Sequence, residues 1–283
     1  MSRVIDSHLH LFNLEKGDYH WLQEGHTPEW SDKNKIRRGY SEGDLSQSGS
    51  ADIVGFVHIE AGFDNSHPWR ELEWLESHCE LPFRSIAYLD LTSDSFDEHL
   101  EKLQEFKSLV GVRYILDNAA QEVLSNPNVF KRLAVLSDNQ LIFEAQLSLS
   151  DPGASCALAD VMQQLPNFKV VINHCGSPVQ LNEQWMHSIT RLAHHPECSI
   201  KCSGWEMFNR DWSSEQAKPI ISFAVRQFGL TRVMLASNFP VSELACSYED
   251  LWQRYLKEMK WKGFEKEMLI FENAKRIYQL DID

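Results

Sequence analysis

Asp6, His8 and His10 alternate with Ile5, Leu9 and Leu11 a few residues into the chain, the period-two pattern of a β-strand. Residues two apart on a strand share a face, so the three polar side chains are expected to line one side together. Two imidazoles at a strand end can hold a divalent metal or polarise a substrate carbonyl. A half-exposed strand with its polar face in water would show the same pattern. What lies downstream decides between them.

Seven further β-type runs follow, over 52–59, 84–91, 110–116, 141–147, 169–173, 199–202 and 232–236. From the second onward they return about every 30 residues, the length of one βα unit. Amphipathic helices fill the gaps. Ser95-Phe96-Asp97-Glu98 reads as a capping box ahead of Leu100, Leu103 and Phe106. Asn126-Pro127 supplies an N-cap and a first-turn proline. Trp252, Tyr255, Leu256 and Met259 form one apolar stripe. Eight alternating units predict an α/β fold, a (β/α)8 TIM barrel forming a single domain over 1–283. A doubly wound open sheet is the competitor, but its Gly-rich first turn is missing. Residues 12–51 interrupt the rhythm with Tyr19, Trp21, Trp30 and Tyr40. This long loop leaves strand 1 on the face where barrel active sites are built, so it is expected to act as a lid.

Barrel enzymes draw their chemistry from the carboxyl ends of several strands. Those ends carry His58 and Glu60, Asp90, Arg113, Glu144 and Gln146, Asn173 and His174, Lys201 and Ser203 before Gly204 and Trp205, then Ser237 and Asn238. Burying so many polar groups is costly unless they are paired or used. His58 reads either as a substrate contact or as a hydrogen-bonded core histidine. Arg113 reads either as a clamp for a carboxylate or as an ion pair with Glu60 or Glu144. His174 is expected to be functional. His67, His78, His187, His194 and His195 read as surface residues.

The formal charge of −14 over 283 residues argues against nucleic acid or an anionic membrane as partner. No stretch approaches the roughly 20 apolar residues of a membrane span, and the first residues lack a signal-peptide core. Six cysteines without CxxC spacing predict a reduced, cytoplasmic protein. The expected partner is a small-molecule substrate, and nine tryptophans leave room for a homodimer.

Taken in order, the HxH strand, Val57-His58-Ile59-Glu60-Ala61, Gly111-Val112-Arg113, Asn173-His174-Cys175-Gly176, Lys201-Cys202-Ser203-Gly204 and Ser237-Asn238-Phe239-Pro240-Val241 resemble the amidohydrolase-related (amidohydrolase 2) family of the amidohydrolase superfamily. The likeness is to the branch of L-fuconolactonase, L-rhamnonolactonase and 2-pyrone-4,6-dicarboxylate lactonase, and it runs to the closing Glu272-Asn273-Ala274-Lys275-Arg276-Ile277-Tyr278. The resemblance implies an amidohydrolase-like barrel that opens a small lactone, with or without a divalent metal, zinc foremost. By position, His8 and His10 match the strand-1 pair and His174 the strand-6 histidine. These three are the expected metal ligands if a metal is bound. Asn238 stands where the family carries a strand-8 Asp, and an amide neither accepts a proton near neutral pH nor binds zinc well.

The expected hydrolase therefore uses His8, His10 and His174 around the carbonyl, Glu144 or Glu60 as general base, and Asn238 to orient water or substrate. Arg113, His58, Gln146, Ser203 and Trp205 are expected to bind substrate. Two other readings stand beside it: a superfamily decarboxylase of a small unsaturated acid, and a catalytically retired barrel that binds a small acid.

Overall fold

The computed structural model describes residues 1–45 and 49–282. Eight parallel strands lie in the order β1 to β8: β1 Ser2–Leu9, β2 Ala51–Ile59, β3 Phe83–Tyr88, β4 Leu109–Ile115, β5 Ile142–Gln146, β6 Val170–Ile172, β7 Cys198–Cys202 and β8 Val233–Leu235. The sheet closes into a (β/α)8 TIM barrel just past β8. There Leu9 bridges Phe239 in parallel, the Asn238 amide donates to the His8 carbonyl at 2.9 Å, and the His10 amide donates to Phe239 at 2.7 Å. The apolar residues of β5, β6, β7 and β8 are buried, as strands covered on both faces require.

Helices between the strands start largely where the sequence chemistry says. Pro127–Asp138 is capped by Asn126, whose side chain accepts from the Asn128 amide, and Pro152–Gln164 is capped in the same way by Asp151. The expected capping box at Ser95 does not form. Ser95 takes φ −83°, ψ 8° and its side chain makes no cap bond, while its amide donates to Ser93 Oγ at 3.1 Å. The stripe ending at Met259 begins in helix Tyr248–Gln253 and continues through a π-turn, burying Trp252, Tyr255 and Met259.

The excursion after β1 is a packed structure of short 3-10 turns, apart from residues 46–48, which lie outside the described residues. Phe12 and Tyr40 exchange backbone hydrogen bonds of 3.0 and 2.9 Å and so tie its two ends together. Buried Lys33 staples its middle, donating to the carbonyls of Trp21 at 2.5 Å and His26 at 2.8 Å.

Candidate active site

The carboxyl ends of the strands bring three histidines together. The His8 ring lies 5.1 Å from that of His10 and 4.6 Å from that of His174, centre to centre. All three are buried. The β1–β2 register sets their aim. Asp6 pairs with Phe56 and Leu9 with His58, so three steps on β1 span two on β2, and one extra residue bulges out beside His8. Bulges of this kind re-aim side chains next to sites. The bulge also separates Asp6 from the pair it was expected to join. Its carboxylate accepts from the Ser237 amide at 3.0 Å, the His8 amide at 3.3 Å and the Tyr248 hydroxyl at 2.9 Å.

His174 follows β6 in a tight turn where it and Cys175 both take left-handed backbone angles, φ 52° and 53°, conformations that persist only when neighbours hold them. Its Nδ1 lies 2.9 Å from Ser203 Oγ. Next to Ser203 the chain turns through Gly204 at φ +74°, where a Cβ would sit 2.6 Å from His174 Nδ1. Only glycine lets the imidazole lie against this turn.

Burial keeps all three imidazoles well below their ordinary pKa, so they are neutral near pH 7. His10 Nδ1 donates to the Ile59 carbonyl at 2.8 Å. His8 is different, because neither of its ring nitrogens has a hydrogen-bond partner. Its Nδ1 lies 3.9 Å from Glu144 Oε2.

Glu144 is saturated with donors. Asn173 Nδ2 reaches it at 2.5 Å and the Tyr278 hydroxyl at 2.6 Å, and the buried Lys201 ammonium forms an ion pair with it. Lys201 is held down to about 8, first by burial, and so remains charged at neutral pH opposite Glu144. A carboxylate with three donors is a counter-charge. It has little left with which to take a proton from water.

The other expected base and its neighbours are also occupied. Arg113 Nε donates to Glu60 Oε1 at 2.7 Å, a second guanidinium nitrogen donates to the Glu60 carbonyl at 2.8 Å, and a third donates to Gln146 at 3.1 Å. Arg113 is therefore the ion pair rather than the clamp, and Gln146 serves it. His58 faces away from the cluster. Its Nδ1 accepts from the Leu11 amide at 3.2 Å and its Nε2 donates to Glu71 at 3.0 Å. With both nitrogens spent inside the core, it offers a substrate nothing, which corrects the expectation of a substrate contact.

Asn238 stands at φ 59° just beyond β8, an angle asparagine tolerates. Its Oδ1 lies 3.3 Å from His10 Nε2, and its Nδ2 donates to Glu206 Oε1 at 2.6 Å. Glu206 carried no expected role, yet it is fully buried and its second oxygen has no partner. The chain of bonds poses a proton count. Ile59 already takes the Nδ1 proton of His10, so a bond from Nε2 to the amide oxygen requires a doubly protonated ring. The alternative is a turned amide with the proton on Glu206. Burial disfavours charging His10 and raises Glu206 to about 7, so the proton belongs on Glu206. A carboxyl that holds its proton more tightly when folded contributes stability below its unfolded value, near 4.5, and loses it as pH rises through about 7. A Glu206→Gln variant should therefore gain on the parent by about 2–3 kcal/mol between pH 5 and pH 8. Denaturant unfolding at the two pH values checks this, and an unchanged difference would contradict the count.

Glu206 belongs to the loop after β7, and that loop is clasped to the excursion after β1. Arg210 donates twice to Asp32, at 2.9 Å each, and again to the Glu206 carbonyl. Its guanidinium also lies 4.8 Å from the Trp30 ring centre. Bidentate pairs fix geometry as well as charge. Arg210→Ala releases both loops and is expected to raise KM about 3–10-fold with a smaller change in kcat. Steady-state kinetics on any turned-over substrate reads it, and an unchanged KM would mean that the clasp is idle.

Beside His174 and Ser203 opens a cavity of about 330 Å³ whose walls include Trp205, Phe208, Trp212 and Val179. Trp205 takes its place there with its indole nitrogen donating to Tyr255 at 2.7 Å. The arrangement does not make a ready zinc centre. His8, His10 and His174 adjoin, but among the described residues no group of three histidine, cysteine or carboxylate side chains is set to hold a metal ion. The strand-8 position is an amide, Glu144 is held by Lys201, and His10 Nε2 faces Asn238.

Glu206 escaped the sequence reading of the site, while Lys201 and Tyr278 stood in the strand-end set and the closing motif without an assigned role. Lys201 left a signal: a lone charge inside the apolar run Cys198–Cys202 demands a partner. Glu206 left only its position beside Trp205, just past the Ser203-Gly204 turn.

A family model described as amidohydrolase matches residues 5–280. An L-fucono-1,5-lactonase of Burkholderia ambifaria is 23% identical over 99% of this chain and 97% of its own length. A zinc-bound amidohydrolase structure from Burkholderia multivorans superposes with a TM-score of 0.78 at 18% identity, covering 99% of this chain and 100% of that one. A 2,6-dihydroxybenzoate decarboxylase from Rhizobium superposes at 0.67 with 12% identity, covering 99% of each. These two structures share the fold.

Proposed function

This chain belongs to the amidohydrolase family, and on that premise we propose that it hydrolyses a small lactone by adding water to the ring carbonyl at the His8–His10–His174 cluster. The observation that carries the reading is His8: a buried, neutral imidazole with both nitrogens unpartnered, set between two other imidazoles and 3.9 Å from a carboxylate. An orphaned buried group of this kind costs stability unless it is used.

In this mechanism the Ser203 hydroxyl donates to His174 Nδ1, so Nε2 of that ring carries the proton and points it at the carbonyl oxygen. A neutral imidazole donor stabilises the negative charge that grows there. As water bonds to the carbonyl carbon, its proton passes to His8. The imidazolium so formed stands opposite Glu144, which keeps the role of charge partner. The bond between the carbonyl carbon and the ring oxygen then breaks, and the departing alkoxide takes the proton back from His8. One hydroxy acid leaves. Asn238 holds the remaining face of the site, its amide set by Glu206. Every step runs on side chains of this chain, and none passes through a metal.

The lactonase relative supports this reading over the two others. The test is acid release from a panel of γ- and δ-lactones, followed with a pH indicator, on protein dialysed against a strong chelator. Hydrolysis that survives chelation is expected. Carbon dioxide from unsaturated acids would move the chain to the decarboxylase reading, and binding without turnover would leave a retired barrel.

A further inference from the structure

We propose that the cavity beside His174 selects an uncharged lactone carrying an apolar ring or chain, and seats that substituent against Trp205, Phe208, Trp212 and Leu181. This inference rests on the lactone reading and names the substrate class for the cavity through which His174 and Ser203 of that site are reached.

Three observations carry it. The first is charge. Neither lysine nor arginine lines the cavity among the described residues, and its one ionisable side chain besides His174 is the carboxylate of Glu215. Of the cations nearby, Arg113 is paired with Glu60, Lys201 with Glu144 and Arg210 with Asp32, and Lys218 lies over the Trp261 ring. A lactone bearing a carboxylate would enter without a counter-charge and meet like charge at Glu215, an arrangement that rejects anions.

The second is how the polar lining is spent. Asn209 Oδ1 accepts from the Asp211 amide at 2.9 Å, and its Nδ2 donates to Gln216. Gln216 Oε1 also accepts from the Ser213 amide at 3.0 Å as part of a helix cap. Ser203 is bonded to His174, and the Trp205 indole to Tyr255. A polyhydroxylated ring needs several free partners, because each buried hydroxyl left unbonded costs binding. Gln180 and Glu215 alone keep an unspent side-chain acceptor, beside the donors Gln216 Nε2 and the buried, unpartnered Trp212 Nε1.

The third is apolar exposure. Val179, Leu181 and Phe208 are 76%, 41% and 48% exposed, and all three line this one cavity. Exposed apolar side chains gathered at a concave site mark a ligand surface. The cavity, at about 330 Å³, is the size of a small-molecule pocket.

The experiment compares kcat/KM of the purified full chain for γ-phenyl-γ-butyrolactone, unsubstituted γ-butyrolactone, an aldono-γ-lactone and a pyrone dicarboxylate. The phenyl lactone is expected to lead each of the others by about tenfold or more, the scale on which an apolar pocket discriminates. Phe208→Ala, and independently Leu181→Ser, should shrink the phenyl-to-unsubstituted ratio several-fold. Both sites are exposed, and a ratio is insensitive to a general loss of active protein. Faster turnover of the aldonolactone or the dicarboxylate, or ratios unmoved by both variants, overturns the substrate class while leaving the lactonase reading intact. Failure of every lactone to release acid defeats both.

Discussion

Replacing His8 with glutamine is expected to lower kcat on a hydrolysed lactone about 10²–10⁴-fold, the usual worth of a positioned general base. KM should move far less, because the proton transfer occurs in the transition state and not in the bound complex. The substitution removes an imidazole whose nitrogens hold no other side chain in place, so the fold has little to lose. A melting temperature within a few degrees of the parent, measured on the same preparation, separates a chemical loss from a structural one. Activity within tenfold of the parent would remove His8 from the mechanism, and His174 would then be the group to test.

The second large effect is structural. Lys201→Met leaves Glu144 buried with its charge and without its ammonium partner. Breaking a buried pair by removing one member costs about 3–5 kcal/mol, far more than surface pairs contribute. Asn173 and Tyr278 would still donate to Glu144, which favours the lower part of that range. The double variant Lys201→Met/Glu144→Gln should recover much of the loss, since it removes the stranded charge along with its partner. Urea denaturation of the two single variants and the double closes a mutant cycle. Additive losses would show that the two side chains do not act as a pair. Because Glu144 also faces His8, the double variant is expected to fold well and catalyse poorly.

The barrel was legible because its signal is periodic. Seven of the strands repeat about every 30 residues, and their buried apolar positions had to alternate with something. The polar residues at their ends were therefore visible as a set. Their roles were not, since a role depends on which neighbour claims each atom. Glu60, Glu144 and Arg113 look alike in sequence, as charges at strand ends, yet Arg113 and Lys201 each claim a carboxylate across the barrel. His58 alternates with apolar residues just as His10 does, but it sits opposite Glu71 on helix Trp69–His78, and nothing in its own strand announces that helix. Glu206 was hidden for another reason. It lies in a short 3-10 turn, Trp205–Met207, where no period distinguishes a buried carboxylate from an exposed one.

The joint between β8 and β1 runs through the residues to which the proposed mechanism assigns the chemistry. The backbone of His8 and His10 accepts from Asn238 and donates to Phe239 where the cylinder closes. On the proposed mechanism, catalytic competence and ring closure are therefore expected to arise together, because the docking of the last strand end on the first fixes the backbone of the imidazole pair. A folding intermediate with seven strands in place would be inert. Heating is then expected to abolish lactone hydrolysis together with the loss of tertiary structure, with no active, loosened form in between.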